Sequence, residues 1–233
     1  MRSSKAFTER YFKKLPIRVL LLVALFAGAI LLFTAIVHEI FWEQEAEADH
    51  YIFNVLSDHV VRPGLTGIME TITHFASSTF LQIAYGALVL FYLITRHWKR
   101  ALEVAAIGLG GYLINYVMKL SFQRVRPPNP LIDPLHNFSF PSGHATSAFI
   151  FYGLLAYLVW KTDLSKPYRV CIGAVLILFS LLIGFSRIYL RVHYTSDVVA
   201  GFCIGFAWLV LGIYLFEYLK KETSAEVNPR KKH

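Results

Sequence analysis

Three groups of polar residues interrupt an otherwise apolar chain of 233 residues. The first is Lys119 with Arg126 and Pro127, the second is Pro141-Ser142-Gly143-His144, and the third is Ser186-Arg187 followed by His193 and Asp197. Each lies at the edge of a hydrophobic run, so folding can bring all three to one side of a membrane. Their residue types suit the handling of phosphate. Arg offers a planar fork of donors to two oxygens, whereas Lys offers a point charge. At an intermediate dielectric each cation–phosphate pair at ~4 Å contributes on the order of 4 kcal/mol of attraction before desolvation. Any one of Lys119, Arg126 and Arg187 could be a flank that snorkels to the interface. Three of them beside two histidines make a candidate site.

The tetrapeptide opens the apolar run from Ala145 to Trp160. A small hydroxyl residue and a glycine at a helix start would leave backbone N–H groups free for an anion. Gly143 allows close approach, Ser142 adds a donor, and His144 adds a group able to give a proton. Alone, such a tetrapeptide is usually a helix cap. His193 and Asp197 are four residues apart, hence on one face if helical. A carboxylate bonded to one ring nitrogen fixes the tautomer and leaves the other nitrogen free to attack. The plainer alternative is a pair that solvates a helix start. Asp197 is, however, the sole acidic residue between Asp163 and Glu217. Arg124 and Arg191 are expected to be spare charges, and Tyr112, Asn115 and Tyr116 to pack between helices. The remaining histidines show no i, i+4 ligand pair, so no metal is expected.

These residues must be positioned by membrane helices. The hydrophobic fraction is 56% and the charged fraction 16%, well off the averages of soluble proteins. The net charge of +8 sits in short loops and tails, so nucleic acid is not an expected partner. Cys171 and Cys203 lie in apolar runs, where neither a disulfide nor a zinc site is expected. Val19 to Val37 is free of charge and long enough to span, and too long for a signal-peptide core. Residues 38–74 are acidic and aromatic and predict an interfacial helical segment, with a second span over Phe75 to Thr95. Shorter runs follow at Val104 to Met118, Ala145 to Trp160, Val170 to Gly184 and Val198 to Phe216. They reach spanning length only if helices continue into the polar motifs. The expected fold is therefore all-α, a bundle of six transmembrane helices. A basic arm (1–18) and a basic tail (222–233) flank the six-span domain (19–221).

Lys and Arg counts set the orientation. Residues 1–18, 96–100, 161–169 and 217–233 hold seventeen, against six in the opposite loops. Both termini are expected in the cytoplasm, which puts all three motifs on the extracytoplasmic side. The count does not use the motifs' chemistry, so their shared side is independent support for one site.

In residue type, spacing and order, these motifs resemble the three-part signature of the type 2 phosphatidic acid phosphatase superfamily, and the layout is similar to its bacterial phosphatidylglycerophosphatase B and undecaprenyl-diphosphate phosphatase members. The signature spans about a third of the chain. The resemblance implies metal-independent and cofactor-free hydrolysis of a membrane lipid phosphate or diphosphate. It further implies that His193 is the nucleophile, passing through a phosphohistidine, that Asp197 orients it, and that His144 protonates the departing oxygen. Lys119, Arg126, Ser142, Gly143 and Arg187 would hold the phosphate. Some members carry a large domain between the second and third spans. Here only Arg96 to Arg100 separates them, so residues 38–74 are the candidate for substrate control. Two rivals stand beside this reading: a lipid phosphotransferase or lipid A-type phosphatase with the same site, and a non-catalytic binder or transporter of lipid phosphates.

Overall fold

The computed structural model describes residues 17–227. The first sixteen and last six residues lie outside that range, with most of the basic arm and half of the expected tail. Six helical stretches among the described residues are long and apolar enough to cross a membrane: Val19–Trp42, Pro63–Ile94, Trp98–Phe122, Gly143–Trp160, Lys166–Tyr189 and Thr195–Lys220. The protein is a multi-pass membrane protein, and its described residues are helical apart from turns and loops.

Helix α1 (Ile17–Val37) is apolar on every side and extends through a π-helical turn, His38–Trp42. Most of its large side chains remain exposed, as suits a lipid-facing helix. Helix α2 (Glu47–His59) carries the acidic, aromatic stretch, and α3 (Pro63–His74) begins on a proline that needs no N–H partner there. Helix α4 (Ser78–Ile94) starts at Ser77, whose hydroxyl accepts the Phe80 N–H at 3.2 Å. Helix α4 matches the expected second span, Phe75 to Thr95, to within three residues. Helix α3 is a separate element, divided from α4 by a turn at residues 75–77 in which Ser77 is extended, φ −63° and ψ 152°.

Helices α5 (Trp98–Phe122), α6 (Gly143–Trp160), α7 (Lys166–Tyr189) and α8 (Thr195–Val227) form the rest of the bundle. They do run into the polar motifs. Lys119 is in the last turn of α5 and Arg187 in the last turn of α7, while His144 and Asp197 lie in the first turns of α6 and α8. Helix α8 also continues to Val227, through the first residues of the expected tail. At the opposite end, buried Glu103 accepts from Arg100 at 2.6 Å and from Lys220 at 2.8 Å, tying α5 to α8.

Helix α6 is central, packed against α5, α7 and α8. The loop before it is pinned by Phe140, fully buried with ring centroids 5.1 Å from Phe122 and 5.3 Å from Phe41. One glycine lets α8 approach this loop: a Cβ on Gly201 would lie 2.8 Å from the Ser142 carbonyl oxygen and 3.1 Å from Thr146 Oγ1. The Ser142 carbonyl is backbone and cannot yield without moving the start of α6. Gly201→Ala should therefore destabilise the fold by about 1–3 kcal/mol, read as a lower unfolding temperature in detergent. An unchanged temperature would show that the α6–α8 contact is slack.

Candidate active site

Four helix ends and the loop 123–142 converge on one polar centre. Local structure explains the approach. Helix α5 stops at Gln123, which has a left-handed φ of 48° and returns its N–H to the Lys119 carbonyl at 3.1 Å. After α7 the chain turns through Arg191, φ 58°, with the Val192 N–H bonded to the Arg187 carbonyl at 3.2 Å. Two further bonds fasten the loop to the end of α7 and the start of α8: Leu131 N–H to the Leu190 carbonyl at 3.0 Å, and Ser142 N–H to the Asp197 carbonyl at 2.9 Å.

His193 and Asp197 do meet. The His193 Nδ1 lies 3.4 Å from Asp197 Oδ2 and 3.3 Å from Ser139 Oγ. The Ser139 hydroxyl also donates to Asp197 Oδ2, which accepts the Tyr194 N–H at 2.9 Å as well. Across the ring, Arg126 Nη1 donates to His193 Nε2 at 3.2 Å. This arrangement selects the tautomer with the proton on Nδ1 and the lone pair on Nε2. Burial holds the His193 pKa down at about 3; the Asp197 hydrogen bond and charge oppose that shift, while Arg126 and Arg187 reinforce it. His193 and Asp197 are 1% and 0% exposed, and Arg187 is 2% exposed.

The three expected phosphate-holding cations are at the same centre. Lys119 Nζ donates to the carbonyls of Phe138 at 2.5 Å and Ser139 at 3.3 Å. Arg126 is braced by the carbonyls of Asn137 at 2.8 Å and Val192 at 2.6 Å. Its pKa is lowered to about 10 by burial, with Asp197 opposing, so it stays cationic at neutral pH. Arg187 Nη1 donates to Thr73 Oγ1 at 2.8 Å, and its buried Nε has no partner among the described residues. None of the three is ion-paired among the described residues. The His144 ring lies among them, close enough to feel Arg187, His193, Arg126 and Lys119. Ser142 caps α6 by accepting the Ala145 N–H at 3.5 Å. A Cβ on Gly143 would come within 3.2 Å of Asn115 Oδ1, so a side chain there would crowd the motif.

Two expectations need correction. Arg124 is not spare: its guanidinium donates to Asp197 Oδ1 at 2.6 Å and Asp49 Oδ2 at 2.8 Å. Burial works against its charge, but Asp197 and Asp49 outweigh that and raise its pKa. Arg191 lies over the Phe53 ring of α2 at 5.7 Å. The expected packing trio divides. Asn115 is buried and donates to Thr146 Oγ1 at 3.2 Å, whereas Tyr112 and Tyr116 are exposed on the outer surface. Sequence reasoning also missed Ser139, Asp49, Ser196 and Thr73. Ser139 stands only two residues before the second motif and Ser196 directly before Asp197; Asp49 and Thr73 come from elements with no local sign of a site. Among the described residues no three His, Cys, Asp or Glu side chains are grouped as metal ligands.

A bundle of membrane-spanning helices with an unpaired cationic centre and an oriented histidine at the helix ends fits a membrane enzyme acting on phosphate esters. Residues 100–221 match the PAP2 superfamily. The chain is 36% identical over 148 residues to phosphatidylglycerophosphatase B of Bacillus subtilis, covering 62% of this chain and 71% of that one. It is 30% identical over 162 residues to undecaprenyl-diphosphatase BcrC of Bacillus subtilis, covering 66% and 75%. The crystal structure of the first transmembrane PAP2 type phosphatidylglycerolphosphate phosphatase from Bacillus subtilis superposes with a TM-score of 0.71 at 30% identity, covering 84% of this chain and 96% of that one. The chain belongs to the PAP2 superfamily, and it is a phosphatase.

The site makes a prediction about pH. Unfolded His193 titrates near 6.5 and the folded residue near 3, so between those values only the unfolded chain takes up the proton. Stability should therefore fall as pH drops from 6.5 toward 3. His193→Gln should flatten that part of the curve of unfolding temperature against pH. An identical slope in the variant would show that burial does not hold His193 neutral.

Proposed function

We propose that the protein hydrolyses a phosphomonoester, or the terminal phosphate of a diphosphate, on a lipid whose tail stays in the bilayer. The observation that carries this is the unpaired trio Lys119, Arg126 and Arg187 around a histidine whose Nε2 lone pair points at Arg126. Clustered, partly or fully buried cations without counter-ions favour an anion, and an oriented imidazole beside that anion gives it a reaction.

In the proposed chemistry, His193 Nε2 attacks phosphorus as the bond to the lipid oxygen breaks, and His144 gives that oxygen its proton. Asp197 holds Nδ1–H and stabilises the charge that develops on the ring. Lys119, Arg126 and Arg187 take the charge on the equatorial oxygens. The Ser142 hydroxyl and the Gly143 N–H at the start of α6 add donors. Water then attacks the phosphohistidine, His144 takes up its proton, and inorganic phosphate leaves. No residue of this scheme requires a metal. The relatives named for phosphatidylglycerophosphate and undecaprenyl diphosphate bracket the substrate class. The Lys and Arg bias supports cytoplasmic termini and an extracytoplasmic site.

Purified protein in detergent should release phosphate from at least one of phosphatidylglycerophosphate, undecaprenyl diphosphate, phosphatidic acid or lipid A. With 18O-labelled water the label should appear in inorganic phosphate; unlabelled phosphate on another lipid would instead show transfer. His193→Ala should lower turnover by about a thousandfold or more. Wild-type turnover in that variant would remove the nucleophile assignment, and tight lipid binding without release would make the protein a binder.

A further inference from the structure

Arg124 stands two residues before Arg126, yet its surroundings are of the opposite kind. Its Nη1 bonds Asp197 Oδ1 at 2.6 Å and Ser196 Oγ at 2.8 Å, while its Nη2 bonds Asp49 Oδ2 at 2.8 Å. Asp49, 5% exposed, also accepts the Ser196 N–H at 2.9 Å and the Ser196 hydroxyl. The guanidinium lies 4.4 Å from the Tyr194 ring centroid, and that ring meets His50 of α2 in a T-shaped contact with centroids 5.7 Å apart. Helix α2 is therefore fastened to the segment that carries His193 and Asp197.

We propose that Arg124 and Asp49 are positioning residues: Asp49 on α2 holds Arg124, and Arg124 fixes the Asp197 carboxylate that orients His193. This rests on the roles proposed above for His193 and Asp197. Asp197 Oδ2 serves His193, Ser139 and the Tyr194 N–H, so Arg124 is the partner of the other oxygen. A carboxylate bonded at one oxygen can swing about its last torsion; one bonded at both cannot. The His193–Asp197 contact is already long at 3.4 Å, so a small swing would release the ring. Arg124 itself is a poor phosphate ligand. Two carboxylates take its donors, and a phosphate there would face both negative charges.

The test uses full-length protein in detergent with the lipid phosphate it hydrolyses fastest, measuring kcat, KM and inhibition by inorganic phosphate. Because a 1 Å misplacement costs about a hundredfold in rate, Arg124→Gln should lower kcat by about tenfold or more while KM and phosphate inhibition stay within about threefold. Asp49→Asn, which keeps the shape but weakens the anchor, should give a smaller loss of the same pattern. Arg124→Lys should recover part of kcat. Gln and Asn variants with kcat within about twofold of wild type would overturn the proposal, as would equal losses of kcat and phosphate affinity. Wild-type protein without turnover would overturn the proposed function, and this inference with it. Turnover that survives both substitutions overturns this inference alone.

Discussion

Three clustered cations without counter-ions, Arg187 buried and Lys119 and Arg126 half-buried, are the constraint around which this structure is arranged. Like charges held close in a poorly solvated place repel by several kcal/mol, and the fold contains that cost in two ways. Backbone carbonyls of Asn137, Phe138, Ser139 and Val192 take the donors of Lys119 and Arg126. Helix polarity does the rest. Lys119 and Arg187 lie in the last turns of α5 and α7, where the unpaired carbonyls are negative, and Asp197 lies in the first turn of α8, where the N–H groups are positive. The remaining excess of positive charge is what a phosphate would neutralise.

Neighbouring arginines show how partners decide role. Arg126 is braced by carbonyls, which orient a guanidinium without cancelling its charge. Arg124 is matched with two carboxylates, which cancel it. The first remains available to a bound anion, and the second becomes part of the framework. That difference also gives residues 38–74 a structural duty. Asp49, His50 and Phe53 of α2 all touch the site's surrounding segments, Asp49 through Arg124 and the two rings through Tyr194, so this stretch braces the site from beside it.

Much of the site was legible because its residues sit at the ends of apolar runs, where polar side chains are conspicuous. The same contrast marks where the apolar runs stop, and the helices continue past those points into the polar motifs, as spanning length required. Hydropathy puts the third span at 104–118, but α5 runs from Trp98 to Phe122, because Lys119 is helical and points its charge at Phe138. The second span fared better: Thr66, Glu70, Thr71 and His74 mark off a separate helix, and the turn at 75–77 stands where the apolar run was expected to begin. Arg124 could not be read at all. Its partner Asp49 is 75 residues away in the chain, in a cluster of acids that looks uniform along the sequence. Only packing singles out the one that is buried. Asn115 and Tyr116 are adjacent in sequence and opposite in fate for the same cause: one side of α5 faces α6 and the other does not.

The opposed influences on His193 have a consequence for timing. Asp197 alone would strengthen the ring as a base and encourage it to hold a second proton. Burial, Arg126 and Arg187 act the other way and keep the empty ring neutral. On the proposed reading, an arriving phosphate dianion cancels much of the field of those cations while leaving Asp197 in place. The balance then tips toward positive charge on the imidazole at the step where its Nε2 is to bond phosphorus and become cationic. Substrate binding would thus raise the ring's capacity to carry charge only when the reacting atom is present, and the cations that hold the phosphate would also keep the nucleophile unprotonated before it arrives.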